Sequence, residues 1–89
     1  MEIEVFKDEK KNEQLSDGHS IVVYNDDVNT FEWVIESLIE VCNHDYLRAT
    51  QCAWIIHLKG KCNVKNGEYV ELELMTSELL RRNINAEIE

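Results

Sequence analysis

The chain has 89 residues and no proline, a length that makes one domain with a modest hydrophobic core. Its 18 acidic residues outnumber its 9 basic residues, and the formal net charge of -9 repels phosphate backbones and argues against a nucleic-acid partner. No apolar run in the sequence is long enough to span a bilayer, which argues against a membrane protein. Partners that carry positive charge are favoured instead.

The cysteines bear on compartment and on metal binding. Cys42, Cys52 and Cys62 are an odd number, and the sequence shows no secretory leader, so we expect reduced thiols and a cytoplasmic protein. A zinc site that includes His44 and His57 is the alternative interpretation. No short spacing between ligands supports it, and free cysteines are among the most often buried residues. We therefore favour core cysteines, with no metal and no cofactor.

Residues 1–18 differ in composition from the rest of the chain. A charged run over residues 7–13 lacks apolar anchors and leads into Ser16-Asp17-Gly18, which predicts a flexible tail. Residues 19–89 show readable hydrophobic periods and form the predicted folded core.

The first half of this core predicts one strand and two helices. Residues 20–24 are short and apolar, as in a strand buried on both faces. Asn29 is the expected N-cap of the first helix, with Glu32 in capping-box position, and Asp45 is the expected N-cap of the second, which ends at Gly60. Helical spacing places these apolar residues on the inner faces: Phe31, Val34, Ile35, Leu38 and Cys42 in the first helix, and Ala49, Cys52, Ala53 and Ile56 in the second.

The second half predicts a strand, a helix and a strand. Cys62 and Val64 alternate with polar residues in a strand closed by a turn at Asn66-Gly67. A third helix runs from residue 69 or 70 to residue 82, and Ile84, Ala86 and Ile88 alternate in a last strand. The predicted order is β-α-α-β-α-β, an α+β domain whose helices pack on one face of a three-stranded sheet.

Asn25-Asp26-Asp27, between the first strand and the first helix, is the candidate site. These residues favour turns for local reasons, and their oxygen atoms also suit a bound cation, so the turn alone leaves both interpretations open. If the second helix packs beside the first, His57 joins the turn above an apolar slot. Such a slot fits a ligand with a positive head and an apolar side chain.

Four segments carry a resemblance to a known family. They are Val22-Val23-Tyr24-Asn25-Asp26-Asp27, Phe31-Glu32-Trp33-Val34, Ala49-Thr50-Gln51, and His57-x-x-Gly60-Lys61. In combination they resemble the ClpS adaptors, which hand N-end-rule substrates to a AAA+ Clp unfoldase. The resemblance is close over residues 20–62 and looser towards the C-terminus. It implies the fold that ClpS shares with the C-terminal domain of the ribosomal stalk protein.

The resemblance also implies a ligand and assigns residues to it. ClpS proteins bind the first residue of a protein chain, commonly Leu, Phe, Tyr or Trp, through its free α-amino group and its side chain. By position, Asn25, Asp26 and His57 would bind the α-amino group, and Asp27 is expected to hold the turn. The apolar pocket would comprise Asn29, Phe31, Val34, Ala53, Ile56 and Ile84.

Departures from the family pattern affect specificity and partner choice. Phe31 and Ala53 stand where methionine is common, which predicts that aromatic first residues bind at least as well as Leu. Asn29-Thr30 replaces the usual threonine-proline. The third helix is shorter and more acidic than usual, and in the family it forms part of the surface that docks on the N-terminal domain of an unfoldase of the ClpA or ClpC type.

Two other classes of function are compatible with parts of this sequence. Asp26 or Asp27 with His57 and a cysteine could be arranged as a hydrolase, but the sequence contains no nucleophile motif and no Gly-rich oxyanion loop, so we do not expect an enzyme. The second is a protein–protein interaction module of the same fold that does not recognise N-terminal residues.

Overall fold

Six elements follow one another along the chain in a computed structural model that describes residues 18–89. They are β1 (His19–Tyr24), α1 (Phe31–Cys42), α2 (Tyr46–Lys59), β2 (Lys61–Gly67), α3 (Tyr69–Arg81) and β3 (Ala86–Ile88). This order confirms the predicted β-α-α-β-α-β arrangement. The tail predicted for residues 1–18 lies outside the described residues, apart from Gly18.

The sheet is antiparallel and has β1 at its centre, in the order β2-β1-β3. Ile21 and Val23 of β1 face the helices and are fully buried in the main core. Val22 points to the opposite face and is still only 8% exposed. The expectation that β1 is buried on both faces therefore holds for its three central residues.

All three helices pack on one face of the sheet and enclose a single apolar cluster. The cluster includes Leu38 of α1, Ala49 of α2, Val64 of β2, and Leu72 and Leu79 of α3. Cys42, Cys52 and Cys62 also belong to it, and all three are free and buried, as expected. Burial raises the pKa of Cys42 to about 11 and that of Cys62 to about 12, so these thiols stay neutral near pH 7.

Two further findings bear on metal and membrane binding. Within residues 18–89 no three His, Cys, Asp or Glu side chains are grouped so that they could hold a metal ion. Over the same range, none of the helices combines the length and the apolar composition that crossing a bilayer requires.

The predicted N-cap of α1 is wrong by one residue. Thr30, and not Asn29, occupies the N-cap, and its Oγ1 accepts a hydrogen bond of 3.0 Å from the backbone N–H of Trp33. The capping box with Glu32 therefore does not form, because Asn29 uses its side chain elsewhere: its Nδ2 donates to Asp26 and to the carbonyl oxygen of Asn83.

Both ends of α2 are as expected. Asp45 Oδ1 accepts a hydrogen bond of 2.8 Å from the backbone N–H of Arg48 and caps α2. Gly60 ends α2 with a φ of 94°, a left-handed conformation that glycine adopts without strain.

The turn predicted at Asn66-Gly67 is wrong, because both residues belong to β2 and pair with Ser20 and His19 of β1. The Asn66 side chain contributes to this pairing, since its Oδ1 accepts a hydrogen bond of 2.8 Å from Ser20 Oγ. The chain turns at Glu68 instead, directly before α3.

The cap of α1 generates a stability prediction. Replacement of Thr30 by Ala removes the acceptor for the Trp33 N–H, so we expect the free energy of unfolding in urea to fall by about 1 kcal/mol. Thr30→Ser keeps a hydroxyl at the N-cap and should retain most of the stability. Equal stability of the Ala variant and the parent protein would contradict the assignment.

Candidate functional site

A cavity of about 440 Å³ opens between the turn after β1 and the facing surfaces of α1 and α2. Its wall consists of Asn25, Asp26, Asp27, Asn29, Thr30, Phe31, Val34, Ala53, Trp54, Ile56 and His57. Polar groups come from the turn and from His57, whereas α1 and α2 supply the apolar part. A second cavity, of about 410 Å³, lies against α1 and shares no residue with the first.

The Asp26 carboxylate organises the turn. Its Oδ1 accepts hydrogen bonds of 2.9 Å from the backbone N–H groups of Val28 and Asn29, and its Oδ2 accepts one of 2.8 Å from Asn29 Nδ2. These hydrogen bonds, led by the one from the Asn29 backbone, lower the pKa of Asp26 below its usual value. Asp26 is therefore a fixed anion at neutral pH.

Asp27 has a different environment from that of its neighbour. Its side chain is exposed at the cavity wall, and its carboxylate accepts none of the hydrogen bonds found within residues 18–89. The expectation that Asp27 holds the turn is therefore wrong, and Asp26 has that role. The reason is geometric, because an aspartate at the first position of an Asx turn reaches the N–H groups two and three residues ahead.

A backbone hydrogen bond sets the turn against the end of α2. The N–H of Asn25 donates to the carbonyl oxygen of Gly60 at 2.9 Å, and Gly60 follows the last turn of α2. This contact brings Asn25 to the same cavity as His57, three residues before Gly60. This main-chain hydrogen bond therefore joins the turn that begins at Asn25 to the segment that contains His57 and Gly60. Asn25 and Gly60 are 35 residues apart along the chain.

The interior of the cavity is apolar. Ala53 and Ile56 of α2 are buried core residues that also face the cavity, and Val34 of α1 is half-buried opposite them. A side chain that entered here would contact hydrocarbon and lose contact with water, which favours an apolar group.

Three rings line one side of the mouth, and we refer to Phe31, Trp54 and His57 as the aromatic arc. The ring centroids of Phe31 and Trp54 are 4.8 Å apart with planes at 60°, and those of Trp54 and His57 are 6.1 Å apart with planes at 77°. These are the tilted and edge-on arrangements that aromatic pairs prefer. The arc is therefore a packed unit in which each ring limits the movement of the next.

The structure gathers all but one of the residues predicted from sequence around this cavity. The exception is Ile84, which is 2% exposed and lies in the core, away from the cavity wall. The N–H of Ile84 donates to the carbonyl oxygen of Leu79, so the chain folds back at the end of α3 and directs this side chain inwards.

Three wall residues were not among the predicted ligand contacts: Asp27, Thr30 and Trp54. A signal for Trp54 was present in the sequence, because it precedes His57 by three residues and so shares a helix face with it. Asp27 and Thr30 gave no such signal, since both are ordinary turn and cap residues.

A family model described as "ATP-dependent Clp protease adaptor protein ClpS" matches residues 14–87. The ClpS adapter of Salmonella gallinarum is 32% identical over 68 residues, which are 73% of this chain and 64% of that protein. The ClpS adapter of Edwardsiella ictaluri is 38% identical over 58 residues, which are 63% of this chain and 55% of that protein. The chain thus spans less than two thirds of the length of these relatives.

Agrobacterium tumefaciens ClpS2, solved in complex with L-phenylalaninamide, has the same fold. The TM-score is 0.76 at 18% identity, over 80% of this chain and 93% of that one. The match to the family model, which covers most of this chain, agrees with the motifs in the turn and in α2. This chain therefore belongs to the ClpS family of ATP-dependent Clp protease adaptor proteins.

Proposed function

We propose that this chain binds the N-terminal residue of substrate proteins, through its free α-amino group and a bulky apolar side chain such as Leu, Phe, Tyr or Trp, and delivers these substrates to a AAA+ Clp unfoldase. The observation that carries the proposal is one cavity with an anionic mouth and an apolar interior. Proteins of the ClpS family are adaptors and not enzymes, which agrees with the expectation from the sequence.

In the proposed complex the α-ammonium group lies at the mouth. Asn25 offers a side-chain carbonyl oxygen, His57 offers a ring nitrogen, and Asp27 offers a carboxylate that is not engaged in the turn. Asp26 supplies negative charge and retains acceptor capacity, while its main hydrogen bonds keep the turn in place. Charge-assisted hydrogen bonds of this kind are stronger than neutral ones.

The side chain of the first residue would occupy the interior between Val34, Ala53 and Ile56. A volume of about 440 Å³ lies within the usual range for small-molecule pockets. The ligand of Agrobacterium ClpS2, L-phenylalaninamide, combines a free amino group with an aromatic side chain, and this supports the same chemistry for the present chain.

Delivery would require a second surface, and we propose that α3 supplies part of it. Val70 and Leu74, one helical turn apart, are both exposed large hydrophobic residues on this helix. The proposed partner is the N-terminal domain of an unfoldase of the ClpA or ClpC type.

The proposed contacts with the α-amino group predict that a ligand must have a free N-terminus. We expect a peptide that begins with Phe to bind stoichiometrically in a calorimetric titration, and its N-acetylated form to bind at least about tenfold more weakly, because acetylation removes charge-assisted hydrogen bonds. Asp27→Asn should cause a similar loss, whereas Glu73→Gln removes one exposed charge on α3 and should have little effect. If the unmodified peptide does not bind the parent protein, the chain is an interaction module without N-terminal recognition.

The Asp26 hydrogen bonds predict a pH-dependent contribution to stability. The folded-state pKa lies below the unfolded value of about 3.9, so the stabilisation is present above that pH and is lost as the pH falls through the folded pKa. At pH 7, Asp26→Asn should lower the free energy of unfolding by about 1–2 kcal/mol, a value that allows for partial exposure.

We expect the difference between parent and Asp26→Asn to shrink in urea titrations below about pH 4. The pKa of Glu78 is also lowered, by hydrogen bonds from Arg81 and Arg82, but parent and variant share that effect, so it cancels in the difference. Asp27→Asn is the matched control, for which no loss of turn hydrogen bonds is expected. A difference that is the same at pH 7 and pH 3 would contradict the role of Asp26.

Phe31 and Ala53 generate a prediction about the first residue. Ala53 leaves room in the interior and Phe31 offers a ring at the mouth, so peptides that begin with Phe or Trp should bind at least as tightly as the peptide that begins with Leu. Ala53→Met should reduce binding of Trp more than that of Leu, because it fills the interior. A clear preference of the parent protein for Leu would overturn this specificity.

A further inference from the structure

Trp54 is the one member of the aromatic arc for which the proposed function gives no role. It lies on the cavity wall with its side chain 50% exposed, between Phe31 and His57. A large apolar ring with that much exposed surface is available for contact with a ligand. Its place at the mouth points to a part of the ligand beyond the first side chain.

The dimensions of the arc suit the second residue of a bound peptide. If the α-ammonium group lies beside His57 and the peptide leaves the cavity along the arc, the second residue follows the line from His57 to Trp54. The His57 and Trp54 ring centroids are 6.1 Å apart, and each residue of extended chain spans about 3.3–3.6 Å. The side chain of the second residue therefore comes within reach of the indole ring.

The charges at the mouth indicate which side chain would be favoured. Asp26 and Asp27 lie on the wall of the same cavity, and together they attract a cation and repel an anion. Indole is the aromatic ring that binds cations best, and a planar guanidinium group can stack on it. Arginine meets both conditions, because its side chain is a cation and its guanidinium group is planar.

We propose that Trp54 forms a subsite for the second residue of the peptide and favours arginine there. The inference rests on the proposed function, because it assumes that the first residue occupies the cavity. It adds that recognition extends one residue further along the substrate and depends on a stacked indole.

The net charge of the protein would also favour arginine, so the experiment must separate this effect from stacking on Trp54. The chain carries a formal net charge of -9, which attracts any basic peptide, whatever ring lies at position 54. That long-range attraction is screened by salt and is independent of Trp54. A double-mutant cycle between peptide residue 2 and protein residue 54 isolates the stacking.

The experiment uses two peptides that begin with Phe-Arg and Phe-Gln and are otherwise identical, titrated at about 0.15 M ionic strength. For each protein the measured quantity is the ratio of the Kd for the Gln peptide to the Kd for the Arg peptide. We expect this ratio to be about two- to fivefold larger for the parent protein than for Trp54→Leu. Trp54→Phe should give an intermediate ratio, because it keeps an aromatic face.

Leu58→Ala is the matched control, since Leu58 is an exposed residue of α2, 72% accessible, that does not line the cavity. Its ratio should equal that of the parent protein. If both peptides bind but the ratio is the same for the parent protein and for Trp54→Leu, the subsite is overturned while the proposed function stands. If neither peptide binds the parent protein, both are overturned.

Discussion

The Asp26 carboxylate is the group on which the geometry of the site depends. It closes the turn between β1 and α1 with three hydrogen bonds, and through Asn29 it also reaches the carbonyl oxygen of Asn83 after α3. The turn is thereby fixed both to the residues that lead into α1 and to the segment that follows α3. Since Asn25 and Asp27 flank this carboxylate, their orientation follows from it. Asp26 therefore determines where the polar groups of the turn lie, in addition to the negative charge that it supplies at the cavity wall.

The site is continuous with the core, because the cavity is a gap between helices that otherwise pack closely. Ala53 and Ile56 are core residues of α2, yet each presents part of its surface to the cavity. The Asn25–Gly60 hydrogen bond then holds the polar turn at the open end of this gap. The same packing that stabilises the domain therefore places an anionic turn above an apolar interior.

Periodicity predicted the elements well, because α1 and α2 bury residues at helical spacing and β2 buries Cys62 and Val64 in alternation with exposed residues. It predicted the turns less well, because several residues there could take the same role. Asn29 and Thr30 are both good caps, and only the hydrogen bonds of Asn29 to Asp26 and Asn83 decide between them. Asp26 and Asp27 are chemically identical, so the turn geometry alone separates their roles. Ile84 was assigned to the pocket by its position in the family resemblance, but the chain folds back after α3 and buries this residue in the core, away from the cavity wall.

Ala53 and Trp54 are neighbours along α2 but occupy different parts of the cavity wall. The smallest wall side chain is turned towards the interior, and the largest follows it at the mouth, where half of it is exposed. Neighbouring positions on a helix face different directions, so volume that is absent from the interior cannot be restored by the next residue. If the interior takes the first side chain of a substrate, as proposed, the small side chain of Ala53 leaves room there for a large one. In the proposed complex, contacts at the mouth, where Trp54 packs against Phe31, would then distinguish substrates that have similar first residues.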